Sequence, residues 1–198
     1  MPDCVDTYSG AVQMFSNMDV SEELALNVIE ANHADELFAL VDRNRSHLRK
    51  WLPWLDFNNS VDDSLSFIQD SISLAEAKKG VVYEIRKKDN LIGTIGLNSI
   101  DTLHRICEVG YWVDGTNQGE GIATKCTREL VRFAFEQLEM NKVSISVATG
   151  NFASRAIPEK LGFTNEGVSR DAEWLYDHYV DHVQYTLLHR EWETNQPD

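Results

Sequence analysis

Asn117-Gln118-Gly119-Glu120-Gly121-Ile122-Ala123-Thr124 is the stretch on which the reading of this chain turns. Upstream of it, Arg105 to Val113 reads as a strand; downstream, the residues from about Ile122 to Leu138 have the spacing of an amphipathic helix. A glycine-bearing turn between strand and helix makes an anion cradle. Its glycines allow positive φ and close approach of a ligand, and the first N–H groups of the helix point outward with the positive end of the helix dipole behind them. A pyrophosphate fits there. The residue order excludes two familiar versions of such a cradle. Dinucleotide binding wants a third glycine near Thr124 and an acidic residue about 20 positions on, and a phosphate-binding P-loop wants Gly-Lys-Ser/Thr.

Further out, the strand pattern Lys142 to Thr149 runs into a helical segment through Lys160, so strand, helix and strand form a crossover with a parallel neighbour. Leu24, Leu26 and Val28 alternate as in a strand, and Asn32 to Leu48 has helical spacing in Leu37, Leu40, Val41 and Leu48. Ser60 with Asp63 marks a helix start, Phe67, Ile68, Ile72 and Ala75 form its apolar stripe, and Gly80 is its expected end. Val81 to Arg86 and Leu91 to Ile100 read as strands around a Lys88-Asp89-Asn90 turn. Closing strands fall near Thr164 to Asp171 and Tyr179 to Leu188. These elements add up to an α/β fold whose mixed, mostly antiparallel sheet has about seven strands with helices on both faces.

With 198 residues and 42% hydrophobic content the chain suits one domain, 1–198, in which residues 1–12 and 193–198 are expected to be loosely attached. Its 32 acidic residues against 18 basic ones, a net charge of −14, argue against nucleic acid or an anionic membrane as partner and favour a cationic one. Solubility alone is the competing explanation of that charge. Cys4, Cys107 and Cys126 form no Cys-x-x-Cys pair, so neither a disulfide framework nor a zinc ribbon is suggested. The expected place is the cytoplasm, since the start carries no basic segment followed by an apolar run and no long apolar tract occurs.

Gln118-x-x-Gly121-x-Ala123 resembles the Gln/Arg-x-x-Gly-x-Gly/Ala signature of the GNAT acyl-CoA N-acyltransferases. Asn151-Phe152-Ala153-Ser154 followed by Lys160-Leu161-Gly162-Phe163 is similar to the segment that follows the cofactor helix in that superfamily. Leu48-Arg49-Lys50-Trp51-Leu52-Pro53-Trp54-Leu55-Asp56 resembles the matching segment of the ribosomal-protein N-terminal acetyltransferases, the Rim branch. The resemblance implies the GNAT fold, with a strand pair that splays to admit a pantetheine arm, and acetyl-CoA as cosubstrate without a metal. It places Gln118, Gly119, Glu120, Gly121, Ile122, Ala123 and Thr124 at the pyrophosphate, Trp112 and Val113 near the thioester carbonyl, and Asn151 and Ser154 along the pantetheine and sulfur.

Amide formation needs a neutral amine, a polarised carbonyl and a protonated leaving thiolate. Glu108 shares a strand face with Gly110 and Trp112, an apolar setting in which a carboxylate becomes a better proton acceptor, and the Rim resemblance points to the same position. A solvated or salt-bridged strand carboxylate is the competing reading. Ser154 is the candidate acid for the thiolate, with simple helix capping as the alternative. Many GNAT enzymes use a tyrosine one turn further on, where this chain has Pro158, which also lacks the N–H that would bond the Ser154 carbonyl. Asn151 either binds pantetheine amides or caps the same helix. Trp51, Trp54 and Phe57 either wall the acceptor site or stabilise a helix-loop junction. Cys107, Cys126, Phe133 and Phe135 read as core, and the Asp177 to His182 stretch is discounted as a metal set.

The function expected is direct acetyl transfer in a ternary complex to a primary amine, first the N-terminal α-amine of a basic, ribosomal protein. A small amine such as a polyamine, amino acid or antibiotic is the alternative acceptor, and a silent acyl-CoA sensor the rival class. Oligomeric state is left open, a homodimer included.

Overall fold

Short-range signals in the chain account for most of its elements. The structure is a computed structural model that describes residues 14–194. Of the ends expected to be loose, residues 1–12 and 195–198 lie outside the described residues, as does Cys4, whereas Glu193 and Thr194 close a helix. In chain order the elements are β1 (Met18–Ser21), β2 (Leu24–Val28), α1 (Ala34–Leu48), α2 (Val61–Glu76), β3 (Val81–Lys87), β4 (Asn90–Asp101) and β5 (Ile106–Val113). After these come α3 (Ile122–Glu136), β6 (Lys142–Ala148), α4 (Phe152–Lys160), β7 (Thr164–Leu175), β8 (His178–Leu188) and α5 (His189–Thr194). Ser60 caps α2 by accepting from the Asp63 N–H. That helix ends at Glu76 because Lys78, with φ 57°, takes the left-handed position expected of Gly80.

Among the described residues the eight strands form one sheet in the order β1-β2-β3-β4-β5-β6-β8-β7. The strand beyond the expected set is β1, whose four residues are too few for alternation to register. Strands β7 and β8 outrun their expected limits because most of β7 is exposed and polar, so it carries no buried-face period. Apolar side chains of α3 such as Leu130 and Val131 pack on one sheet face with Leu26, Ile95, Val109 and Ile145. On the other face Leu37 and Leu40 of α1 and Ile68 of α2 pack with Leu55 and Leu91.

All strand pairs are antiparallel except β5 with β6. That parallel pairing covers only Ile106–Lys142, Cys107–Val143 and Glu108–Ser144. Past Glu108, β5 stays paired with β4 as far as Val113, and β6 stays paired with β8 as far as Ala148. The two halves of the sheet therefore part in the middle, and α3 and α4 begin beside the opening.

Candidate active site

Helix α1 holds the loop that leads out of β5. Asp114 Oδ1 accepts the Thr116 N–H at 3.1 Å and its Oδ2 accepts from Arg43 at 3.1 Å. Asn44 Oδ1 accepts the Gly115 N–H at 2.9 Å, and the Gln118 amide meets His47 Nε2 at 2.7 Å. Burial works to raise the pKa of Asp114, but the Thr116 N–H and the Arg43 guanidinium hold the carboxyl below its ordinary value.

Beyond this anchorage Gly119 and Gly121 have φ of 79° and 74°, and a Cβ on either would point into open space. Backbone conformation, not crowding, calls for glycine here. Gly121 is the N-cap of α3 and offers no side chain to the first turn, so the N–H groups of Ile122, Ala123 and Thr124 have no partner within the helix. This suits an anionic diphosphate. The Glu120 carboxylate is turned away by an ion pair with Lys87 at 2.5 Å, leaving its main chain to the loop.

A groove of about 620 Å³ runs from the loop into the splay. Gln118, Gly119, Gly121, Ile122, Ala123 and Thr124 line it, as do Trp51, Trp112, Val113, Asn151 and Ser154; Glu120 does not. Asp114 N–H donates to the Ile92 carbonyl across β4 at 2.7 Å. Antiparallel ladders alternate, so the main-chain groups of Trp112 face β4 whereas those of Tyr111 and Val113 face the opening. The edge that faces the opening therefore presents the main-chain groups of Tyr111 and Val113, while Trp112 contributes its side chain to the groove wall.

A second cavity of about 530 Å³ lies between α1, α2 and the sheet. Trp54, Phe57, Phe67, Asp63, Asp70 and Asn98 stand in its wall, so Trp51 and Trp54 serve different cavities. Trp54 also packs on Trp112, with ring centroids 6.4 Å apart. Leu52, Tyr111 and Trp112 are common to both linings, and there the cavities meet. Tyr176, in the β7–β8 turn, donates to the Leu52 carbonyl at 2.5 Å and fixes that shared wall. Glu108 is half-buried and lies outside both linings, two residues before Gly110.

Asn151 caps α4, its Oδ1 accepting the Ser154 N–H at 3.2 Å. Ser154 Oγ donates to the Tyr111 hydroxyl at 3.3 Å, and that hydroxyl donates to the Ser154 carbonyl at 3.1 Å. Cys107 and Cys126 are fully buried thiols pushed up to about 12 by that burial, so they belong to the core, as do Phe133 and Phe135. Among the described residues no group of three or more His, Cys, Asp or Glu is arranged to hold a metal ion.

Sequence reasoning missed Tyr111, Asn98 and the α1 anchors Arg43, Asn44 and His47. Strand parity puts Tyr111 with core residues Cys107 and Val109, and only the splay lets α4 reach its hydroxyl. Asn98 is the extra residue of a β-bulge between Leu97 and Ser99, and its amide lies over Gly110, where a Cβ would come within 2.3 Å of Nδ2. No periodic signal marks a bulge. The one sequence clue to Tyr111 was Pro158, which leaves the Ser154 carbonyl in need of another donor.

A diphosphate cradle leading into an opened strand pair is what a coenzyme A thioester requires, and the class of protein defined is the acyl-coenzyme A transferases. The chain belongs to the GNAT acetyltransferase family, whose model, described as an acetyltransferase (GNAT) domain, matches residues 23–164. It is an N-acetyltransferase that uses acetyl-CoA. It is 36% identical over 179 residues, 88% of this chain and 96% of the relative, to a Bacillus subtilis protein provisionally named ribosomal N-acetyltransferase YdaF. To the ribosomal-protein-serine acetyltransferase of Escherichia coli it is 32% identical over 175 residues, 88% of this chain and 98% of the relative. Among solved structures, the ribosomal α-N-protein acetyltransferase RimL in complex with coenzyme A superposes with a TM-score of 0.85 at 26% identity, covering 87% of this chain and 98% of that one.

Proposed function

We propose that this enzyme acetylates the N-terminal α-amine of a basic protein, a ribosomal protein first, by direct attack in a ternary complex. The observation that carries the reading is the meeting of the two cavities at Leu52, Tyr111 and Trp112, which gives donor and acceptor separate approaches to one point. Asp63 and Asp70 in the second cavity and the net charge of −14 support a cationic acceptor. The names of the two relatives point to the same substrate class. We read residues 1–198 as one domain acting in the cytoplasm.

When bound, acetyl-CoA supplies the activated carbonyl and a thiolate leaving group. Main-chain N–H groups of the opened strand edge at Tyr111 and Val113 polarise the carbonyl. Glu108, outside both cavity linings, takes the ammonium proton through water, with the Asn98 amide over Gly110 orienting the amine. Ser154 gives a proton to the sulfur. Cys107 and Cys126, buried as they are, supply no covalent acyl carrier.

The test is acetyl-CoA-dependent thiol release against two pools, basic ribosomal-protein amino-terminal peptides and small polyamines or amino acids, with mass analysis of the acetylated atom. Labelling of peptide α-amines is the expected result. Labelling confined to small amines would keep the enzyme and overturn the substrate, and coenzyme binding without release on either pool would favour a silent sensor. On the active acceptor, Glu108→Gln is expected to lower kcat by about 10²-fold or more with coenzyme affinity kept.

A further inference from the structure

Pro158 lies inside α4, four residues after Ser154. Having no N–H, it cannot close the helical bond to the Ser154 carbonyl, and a carbonyl left without a donor in a half-buried helix is costly. The donor present is a side chain 43 positions away in sequence, the Tyr111 hydroxyl, at 3.1 Å. The same hydroxyl accepts from Ser154 Oγ at 3.3 Å. Burial pushes the phenol up to about 12 while the hydrogen bond from Ser154 opposes that rise, so Tyr111 keeps its proton throughout the neutral range. Tyr111 also lines both cavities at the point where they meet.

From this arrangement we infer that Tyr111 is a positioning residue for Ser154, recruited by Pro158, which holds the serine hydroxyl at the cavity junction and supports the charge that develops on its oxygen during acetyl transfer. The inference rests on Ser154 being the acid of the proposed reaction. At rest the hydrogen bonds run from Ser154 Oγ to Tyr111 and from Tyr111 to the Ser154 carbonyl. As Ser154 turns its proton to the departing sulfur, the Ser154 O–H bond breaks and the S–H bond of coenzyme A forms. The Tyr111 O–H then swings from the carbonyl to Ser154 Oγ, which lies at 3.3 Å. Tyr111 retains its proton throughout, and water in the groove relays to Ser154 the proton that the attacking nitrogen loses as it becomes the amide, which restores the serine hydroxyl. A restored N–H at position 158 could satisfy the carbonyl but could do nothing for the serine oxygen. That difference separates a structural role from a chemical one.

The experiment compares wild type with Tyr111→Phe, Pro158→Ala, Tyr111→Phe/Pro158→Ala, Ser154→Ala and Ser154→Ala/Tyr111→Phe. Two quantities are read, thermal unfolding of the free protein and kcat with KM for acetyl-CoA. Tyr111→Phe is expected to lower the melting temperature and to reduce kcat about ten- to hundredfold, with KM for acetyl-CoA changed by less than about threefold. Adding Pro158→Ala returns the N–H and should recover the melting temperature but not kcat. In the Ser154→Ala background, Tyr111→Phe should cost little further rate, because the two act as a unit. Recovery of kcat together with stability in Tyr111→Phe/Pro158→Ala would overturn the inference, leaving Tyr111 a filler for the orphaned carbonyl. A normal rate in Tyr111→Phe would overturn it as well. A normal rate in Ser154→Ala would instead remove the acid role on which it rests.

Discussion

The loop from Asp114 to Thr124 and the cavity between α1, α2 and β4 lie on either side of Tyr111 and Trp112, yet they recruit their residues differently. The loop acts through main chain. Two glycines of positive φ and the first turn of α3 present N–H groups from consecutive residues, and the charged side chain among them, Glu120, is drawn off by Lys87. The second cavity, the proposed acceptor side, is lined by side chains from α1, the Trp54 to Asn58 segment, α2, β4 and β5, with Asn98 aimed by a bulge. A diphosphate common to every acyl-coenzyme A can be met by a fixed backbone; an acceptor that varies among relatives is met by side chains that change one at a time.

Breaking the donor side should have the larger effect. Gly121→Val puts a β-branched residue at φ 74°, which costs about 1–2 kcal/mol, so coenzyme affinity measured by calorimetry should weaken about tenfold while the acceptor KM holds. An equal loss on both sides would deny that the two halves are separable.

Gly110→Ala attacks the other half. The new Cβ would lie 2.3 Å from Asn98 Nδ2, the end of a side chain free to swing away, so the protein should fold with the amide displaced. Acceptor KM should rise about three- to tenfold with coenzyme affinity unchanged, as expected for one lost hydrogen bond. An unchanged acceptor KM would remove Asn98 from the acceptor site.

The smallest effect concerns the anchorage of the loop on α1. Asp114 has its carboxyl lowered in the fold, so its contribution to stability is complete above the ordinary carboxylate range and is lost as pH falls through the folded value. Arg43→Ala should cost about 0.5–1 kcal/mol at neutral pH, since Arg43 itself is half exposed, and should start the acid loss of melting temperature at a higher pH. An acid limb unmoved by the substitution would show that Arg43 is not what holds the carboxyl down, leaving Thr116 and Asn44 to do so.

Much of the fold and of the donor side was legible because their signals are local. The Ser60–Asp63 cap, the strand alternation around Leu24 and Leu26, and the glycines at 119 and 121 depend on neighbours a few positions away. The end of α2 at Glu76, the short strand β1 and the full length of β7 were not, since a left-handed lysine at 78, a four-residue strand and an exposed arm leave no period to read.

For this protein, sequence by itself determined the chain order of the longer strands and helices and the glycine turn that opens α3, because backbone conformation and capping are settled within a turn or two of the chain. Only the tertiary structure decided that Tyr111 answers Pro158, that Asn98 leans over Gly110 and that Arg43, Asn44 and His47 hold the loop. Those contacts join residues far apart in the chain, and a one-residue change of strand register would point Tyr111 and Asn98 to the other face of the sheet.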